Sequence, residues 1–271
     1  MLELEAKERF LDKSVAGHPS LMVAYSGGVD SAYLAYAAYQ ALGERMLAVT
    51  ALSASYSRRD RQEAEAVVSR CRFPHQFIET GELSNPSYRR NRPDRCFFCK
   101  DELFTKLDAL AAERGFAAVA YGVNADDQGD WRPGQRAALL HHVVAPLLDA
   151  GLTKADIREL ARRAGIPVWN RPASACLASR IAYGIEVTPE RLARVEEGEE
   201  ALRALGFRQF RVRHHDKLVR IEIAPEELPR ALQPEMASRF VAIFKPLGFS
   251  FVTLDLEGYR QGSLNTHLVR L

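Results

Sequence analysis

Three clusters of residues in this chain have types and spacings suited to chemistry. The first is Ser26-Gly27-Gly28-Val29-Asp30-Ser31, set between the apolar run Leu21 to Tyr25 and the apolar stretch AYLAYAAYQALG. Gly27 and Gly28 permit a tight turn and close backbone approach. Ser26 and Ser31 add hydroxyl donors, and the first amides of a following helix are unpaired and point outward. Together these form an anion site suited to phosphates. The loop lacks the GK[ST] ending of a Walker A loop and is not the dinucleotide GxGxxG. From its geometry alone an ordinary strand–helix turn is an equal reading, with Asp30 a local cap.

The second cluster is cysteine. Cys96 and Cys99 form C-x2-C in DRCFFCK, a spacing that can grip one metal or two corners of a cluster. Cys176, in PASACLASR, lies 77 positions after Cys99 (176 − 99). Arg95, Lys100 and Arg180 would favour thiolates if close in space. Three thiolates would hold a 4Fe-4S cluster with one iron open. Zinc would need a fourth ligand, with His141 or His142 the nearest option, and three unligated thiols are the bland alternative. Cys71 reads as a packed helix residue. The third cluster is charged. Arg211 and Arg213 flank Val212 on an expected strand, so both face one side, and two guanidinium forks can clasp a phosphate. Their alternative is a solvated strand face. Glu199 on the preceding helix and Arg180 beside Cys176 read equally as site groups or as ordinary ion pairs. Asp126, Asp127 and Asp130 could approach magnesium or cap a turn, and Trp131 could stack on a ring or anchor its loop.

These clusters need elements to hold them. Leu21 to Tyr25, Met46 to Leu52, His75 to Glu79 and Ala117 to Tyr121 read as buried strands, with helices between them. Alternation of this kind implies right-handed crossovers and a parallel sheet. Gly122 and Asn124 then lie just past the fourth strand, at the carboxyl edge where open α/β sheets bind ligands. Thr153 is a helix cap before KADIRELARRAG. After about residue 183 the pattern changes to α+β: a helix over 189–205, strands over 210–214 and 218–223, a helical 234–247 and a last strand over 250–254. The reading is two domains, 1–183 and 184–271. Stretches 81–95, 124–135 and 168–184 carry no clear element, and loops that long are usually functional.

Composition sets the frame. The 271 residues are 47% apolar and 27% charged, so disorder is excluded. With 37 basic and 35 acidic residues the net charge is +2, which requires no nucleic-acid partner. No apolar run approaches the ~18 residues of a membrane span. The opening MLELEAKERF is acidic where a signal peptide is basic. A cytoplasmic protein without a disulfide framework is expected.

The glycine loop after an apolar strand resembles the signature of the PP-loop ATP pyrophosphatases, which cleave ATP to AMP and pyrophosphate while adenylating a substrate. The resemblance implies that Ser26, Gly27, Gly28 and Ser31 hold the pyrophosphate and that Asp30 sits near Mg2+; their place at the sheet's carboxyl edge puts Gly122 and Asn124 near the nucleotide. It is narrower than the superfamily. SGGVDS, PDRCFFCK, GVNADDQGDWRPG, ACLASR and RVRHHDKLVRIEI follow in order over Ser26 to Ile223. This series resembles the LarE family, ATP-dependent sulfur transferases of nickel-pincer nucleotide biosynthesis.

That resemblance implies a parallel α/β sheet with helices on both faces and a smaller C-terminal α+β domain. It implies adenylation of pyridinium-3,5-biscarboxylic acid mononucleotide and displacement of AMP by sulfur. In one branch of the family the cysteine matched by Cys176 gives up its own sulfur. In another, three cysteines carry a 4Fe-4S cluster; Cys96 and Cys99 match the additional pair, so the resemblance places this chain in the cluster branch, with Cys176 catalytic rather than sacrificed. The resemblance further assigns Arg211 and Arg213, with Arg180 and Glu199 near them, to the substrate phosphate, and implies a homo-oligomer. The rival readings are a PP-loop tRNA thiolase, whose loop is typically SGGKDS, an ammonia-using synthetase, and a non-enzymatic nucleotide-gated sulfur carrier.

Overall fold

A computed structural model of the chain describes residues 2–128, 133–172 and 175–260. Asp130 and Trp131, both candidate site residues, lie outside them. The chain divides into two compact units, Met1–Glu82 with Cys96–Ser174, and Leu83–Arg95 with Ala175–Leu271. The expected boundary at 183 does not follow this division. The segments 83–95 and 175–183 belong to the second unit, because Asn91 and Arg95 bond into the backbone of 178–185.

The first unit is built on four parallel strands, β1 (Leu21–Ala24), β2 (Met46–Leu52), β3 (His75–Glu79) and β4 (Ala118–Tyr121), in the order β3-β2-β1-β4. Around it run α1 (Leu2–Ala16), α2 (Val29–Leu42) and α3 (Arg58–Cys71). Both faces of the sheet are covered. Leu21, Val23 and Tyr25 enter one apolar core, with Leu34, Ala38, Val67 and Leu160, while Met22 and Ala24 enter another with Phe104 and Leu107. That two-sided burial is why β1 reads as an unbroken apolar run rather than an alternating one. It also explains α2, where nine of fourteen residues are buried, so an Ala-rich helix can lie flat on the sheet.

The stretches that lacked clear elements contain short ones. A 3-10 turn (Glu82–Ser84) and α4 (Pro86–Arg89) occupy 81–95, with Asn85 capping α4. After α5 (Arg95–Arg114), a 3-10 turn spans Ala125–Asp127, followed by α6 (Pro133–Leu140), α7 (Pro146–Asp149) and α8 (Lys154–Arg163). A further 3-10 turn covers Leu177–Arg180. Such short elements rest on caps and local prolines and leave no periodic apolar signal to read.

The second unit holds α9 (Pro189–Ala204), β5 (Phe210–His215), β6 (Leu218–Ile223), α10 (Leu228–Ala231), α11 (Pro234–Phe244) and β7 (Phe251–Leu254). The sheet order is β5-β6-β7, antiparallel then parallel. Its own core joins Leu202, Val212, Ile221, Phe240 and Phe244. Among the described residues no helix is long and apolar enough to cross a membrane.

Candidate active site

The loop Ser26–Ser31 leaves the carboxyl end of β1 and opens α2. Gly27 holds φ +80°, and a Cβ there would lie 3.0 Å from the Ala64 Cβ on α3. Gly28 is the N-cap of α2 and supplies no side-chain cap. The helix's leading amides are therefore left for an anion. The two serines latch the loop. The Ser26 amide donates to Ser31 Oγ (3.1 Å), the hydroxyls lie 3.0 Å apart, and Ser31 Oγ donates to the Gly28 carbonyl (3.1 Å). The Tyr56 hydroxyl reaches the carbonyls of Ser26 (3.2 Å) and Asp60 (3.1 Å). Tyr56 was missed in sequence, since a tyrosine in a Ser-rich loop carries no signal of its own.

Asp30 occupies the first turn of α2. Its Oδ2 pairs with Lys154 Nζ at 2.5 Å, while Oδ1 is buried without a hydrogen-bond partner among the described residues. Burial pushes this carboxyl above its ordinary value, and the neighbouring Lys154 ammonium pulls the other way. A buried carboxylate oxygen without a donor is costly, and a divalent cation satisfies it, so the residue fits the magnesium expected beside a pyrophosphate. Lys154 begins α8, whose cap Thr153 exchanges bonds with Asp156 (3.1 and 3.0 Å). Asp126 Oδ2 accepts from the Lys154 amide (2.7 Å).

Asp126 and Asp127 serve as local caps. Asn124 Oδ1 accepts from the Asp126 amide (3.0 Å), and Asp127 Oδ2 accepts from the Asn124 amide (3.1 Å). Gly122 lies against the start of α2. A Cβ there would sit 2.8 Å from the Ser31 nitrogen, so its first duty is to let β4 pass close under the loop.

Cys96 and Cys99 lie in the first two turns of α5, Cys96 exposed and Cys99 half-buried. Three residues apart on a helix, they share a side. None of the four cysteines is in a disulfide. Lys100 lies over the Phe104 ring (5.7 Å), and Arg95 donates to Asn91 Oδ1 and to the Ala178 carbonyl (2.9 Å). His141 is no zinc ligand here: its Nδ1 faces Asp108 (2.6 Å) and its Nε2 faces Asp101 (3.0 Å). Among the described residues no group of three or more His, Cys, Asp or Glu is arranged to hold a metal ion.

In the second unit Cys176 caps the turn Leu177–Arg180, and its carbonyl accepts from Ser179 Oγ (2.7 Å) and Arg180 Nη1 (3.0 Å). Arg180 is buried and pairs with Glu199 at 2.9 Å. Arg213 is also buried, bonding Glu222 Oε2 (3.0 Å) and the Ser179 carbonyl (3.1 Å), so the solvated strand face does not hold for it. Arg211 stacks over Tyr259 (5.0 Å) and donates to the Phe210 carbonyl (2.7 Å). Burial lowers the Arg211 pKa, the Arg180 charge lowers it further, and Glu199 opposes both. The structure therefore brings Arg180, Glu199, Arg211 and Arg213 into one charged cluster. Glu222, fully buried between Arg213 and Arg220, was missed, because an acid alternating with apolar residues in VRIEI reads as an outward-facing strand position.

A strand, a glycine loop latched by two serines and a helix at the carboxyl edge of a parallel sheet define an enzyme of the PP-loop, ATP-pyrophosphatase type. Consistent with that class, residues 3–101 match the NAD synthase family. At 27% identity over 237 residues, the chain is also similar to a glutamine-hydrolyzing GMP synthase component of Pyrococcus abyssi (75% of this chain, 73% of the relative). Other relatives match over nearly their whole length. An uncharacterized protein of Synechocystis sp. is 40% identical over 267 residues, 98% of this chain and 100% of the relative. The pyridinium-3,5-bisthiocarboxylic acid mononucleotide synthase of Lactiplantibacillus plantarum is 32% identical over 271 residues, 100% of this chain and 98% of the relative. The chain belongs to the LarE family.

Proposed function

We propose that this enzyme uses ATP to convert the carboxylates of pyridinium-3,5-biscarboxylic acid mononucleotide to thiocarboxylates. The observation that carries the reading is the orphaned, buried Asp30 Oδ1 beside a serine-latched glycine loop, a magnesium–pyrophosphate site in the making. The name of the Lactiplantibacillus relative gives the bisthiocarboxylic product, and the biscarboxylic acceptor is inferred from it.

A carboxylate is a poor acyl donor because its oxygen is a poor leaving group. In the proposed first step a substrate carboxylate oxygen attacks the α-phosphorus of ATP. The bond from that phosphorus to the bridging oxygen breaks, giving acyl-adenylate and pyrophosphate. Ser26, Ser31 and the backbone at Gly27 and Gly28 receive the pyrophosphate charge, with Asp30 on Mg2+. Arg211, Arg213 and Arg180, the last held by Glu199, orient the substrate phosphate. A sulfur nucleophile then attacks the acyl carbon and AMP leaves.

Cys176 is the proposed sulfur-bearing position. If it gives its own sulfur, a thioester forms. Loss of the Cα proton then breaks the Cβ–S bond and leaves dehydroalanine. In the alternative, Cys96, Cys99 and Cys176 would hold a 4Fe-4S cluster, which would supply an exchangeable sulfide. The C-x2-C pair at the start of α5 would supply two corners of such a cluster. A cytoplasmic homo-oligomer completes the proposal, with the exposed Leu232, Val241 and Phe251 as apolar surface available to a second copy.

Anaerobic mass spectrometry with iron and sulfide analysis, before and after turnover with ATP and the pyridinium acceptor, tests this. Acceptor gaining sulfur with AMP and pyrophosphate released supports it. Loss of hydrogen sulfide mass at Cys176 marks a single-use donor, and an unchanged Cys176 with iron and sulfide marks the cluster. ATP binding without pyrophosphate release or sulfur gain would overturn the transferase and point to a carrier. Asp30→Asn is expected to slow pyrophosphate release on the order of a hundredfold or more, with the fold retained, the scale of losing several kcal/mol of charge stabilisation.

A further inference from the structure

The second unit carries a groove of about 520 Å³ lined by Pro86, Arg89, Arg90, Arg92, Gly184 and Glu186. Three guanidiniums against one carboxylate leave +2 in this one groove, as much as the net charge of the whole chain. Arg89 is paired with Glu186. The side chains of Arg90 and Arg92 make no hydrogen bond or ion pair among the described residues.

The backbone that presents them is already ordered. Between the two arginines Asn91 is fully buried at φ +51°. Its Nδ2 faces the carbonyls of Ile181 (3.1 Å), Ala182 (2.9 Å) and Ile185 (2.9 Å), and its own carbonyl accepts from the Gly184 amide (3.1 Å). The Val187 amide donates to the Arg89 carbonyl (2.9 Å), tying the groove's two walls together. A ligand has only exposed side chains to order, which lowers the entropic cost of binding.

We propose that this groove binds a molecule bearing a phosphate or pyrophosphate group, of about mononucleotide size. Guanidinium forks match phosphate oxygens in pairs, and two arginines not engaged elsewhere balance a dianion. The volume falls within the usual range of small-ligand sites. Glu186 adds an acceptor suited to a sugar hydroxyl and disfavours a long polyanion. None of the lining residues belongs to the Ser26–Ser31 loop or to the Arg180–Arg211–Arg213 cluster, so the inference does not depend on the sulfur-transfer reading.

The test uses the full chain. Phenylglyoxal labelling of Arg90 and Arg92, read by peptide mass spectrometry, is run with and without inorganic pyrophosphate and AMP. Calorimetric titration of both probes in the presence of Mg2+ compares the native chain with the double variant R90Q/R92Q and with D30N. Pyrophosphate or AMP is expected to protect both arginines severalfold. R90Q/R92Q is expected to weaken one class of binding at least tenfold and leave a second class, which D30N weakens instead. Protection by AMP alone assigns an organic phosphate, and by pyrophosphate alone the free anion. Absence of protection by either probe, or a double variant that titrates like the native chain, overturns the site. The labelling is done on the native chain, so it decides the matter even if the variant folds poorly.

Discussion

At the scale of single residues, the second unit shows how burial sets protonation. His214 is fully buried, its Nδ1 accepts from the Asp216 amide (3.2 Å), and Nε2 has no partner among the described residues. Burial, helped by the Arg191 and Arg194 charges, pushes its pKa down to about 4. In the unfolded chain the same imidazole titrates near its ordinary value of about 6.5. The unfolded state therefore takes up the proton first. Stability is full above about pH 6.5 and is lost as pH falls toward 4. His75, also held down to about 4 by burial, shares that loss. His214→Phe is expected to flatten part of the acid limb in a plot of urea midpoint against pH, with His75 sustaining the rest. His141 runs the other way. Burial opposes its charge, but the bonds to Asp101 and Asp108 outweigh this and raise its pKa. Its contribution is present below about pH 6.5 and fades as pH rises through the raised value.

Elements carry the site through their ends. The start of α2 is pressed by β4, so Gly122→Ala puts a methyl 2.8 Å from the Ser31 nitrogen and 3.0 Å from the Asp30 carbonyl carbon. Neither atom can yield without moving the phosphate loop. The expected result is a loss of about 1–3 kcal/mol in chemical denaturation together with slower pyrophosphate release. The start of α8 matters for a different reason. Thr153 accepts from the Asp156 amide and so holds the turn that presents Lys154 to Asp30. Thr153→Ala is expected to cost about 1 kcal/mol, and a shift in the Mg2+ concentration needed for half-maximal turnover would show that the cap also positions Lys154.

For the whole molecule, each unit is packed around apolar cores of its own. Phe244 is fully buried in the second core against Phe249 (6.2 Å between centroids). Phe244→Ala is expected to cost about 3–5 kcal/mol. In scanning calorimetry the loss should fall on the transition that ATP with Mg2+ does not raise, since that ligand's proposed site lies in the first unit. One common transition lowered as a whole would show instead that the units unfold together.

The strands β1, β2 and β3, the helix cap at Thr153, the glycine loop and the C-x2-C pair are all written in local residue order. Each rests on periodicity, turn chemistry or short spacing that neighbours in sequence settle by themselves. The fold class and the glycine loop were readable for that reason. Partners distant in sequence were decided only by tertiary structure. Lys154 meets Asp30 across 124 positions, and Asn91 reaches Ile181 across 90. No local pattern says which lysine a buried carboxylate will find, or that Arg213 will turn inward to Glu222 while Arg90 and Arg92 face a groove. Those choices follow from which backbone segments each unit's packing brings side by side, and from the cost of leaving a buried charge without a partner.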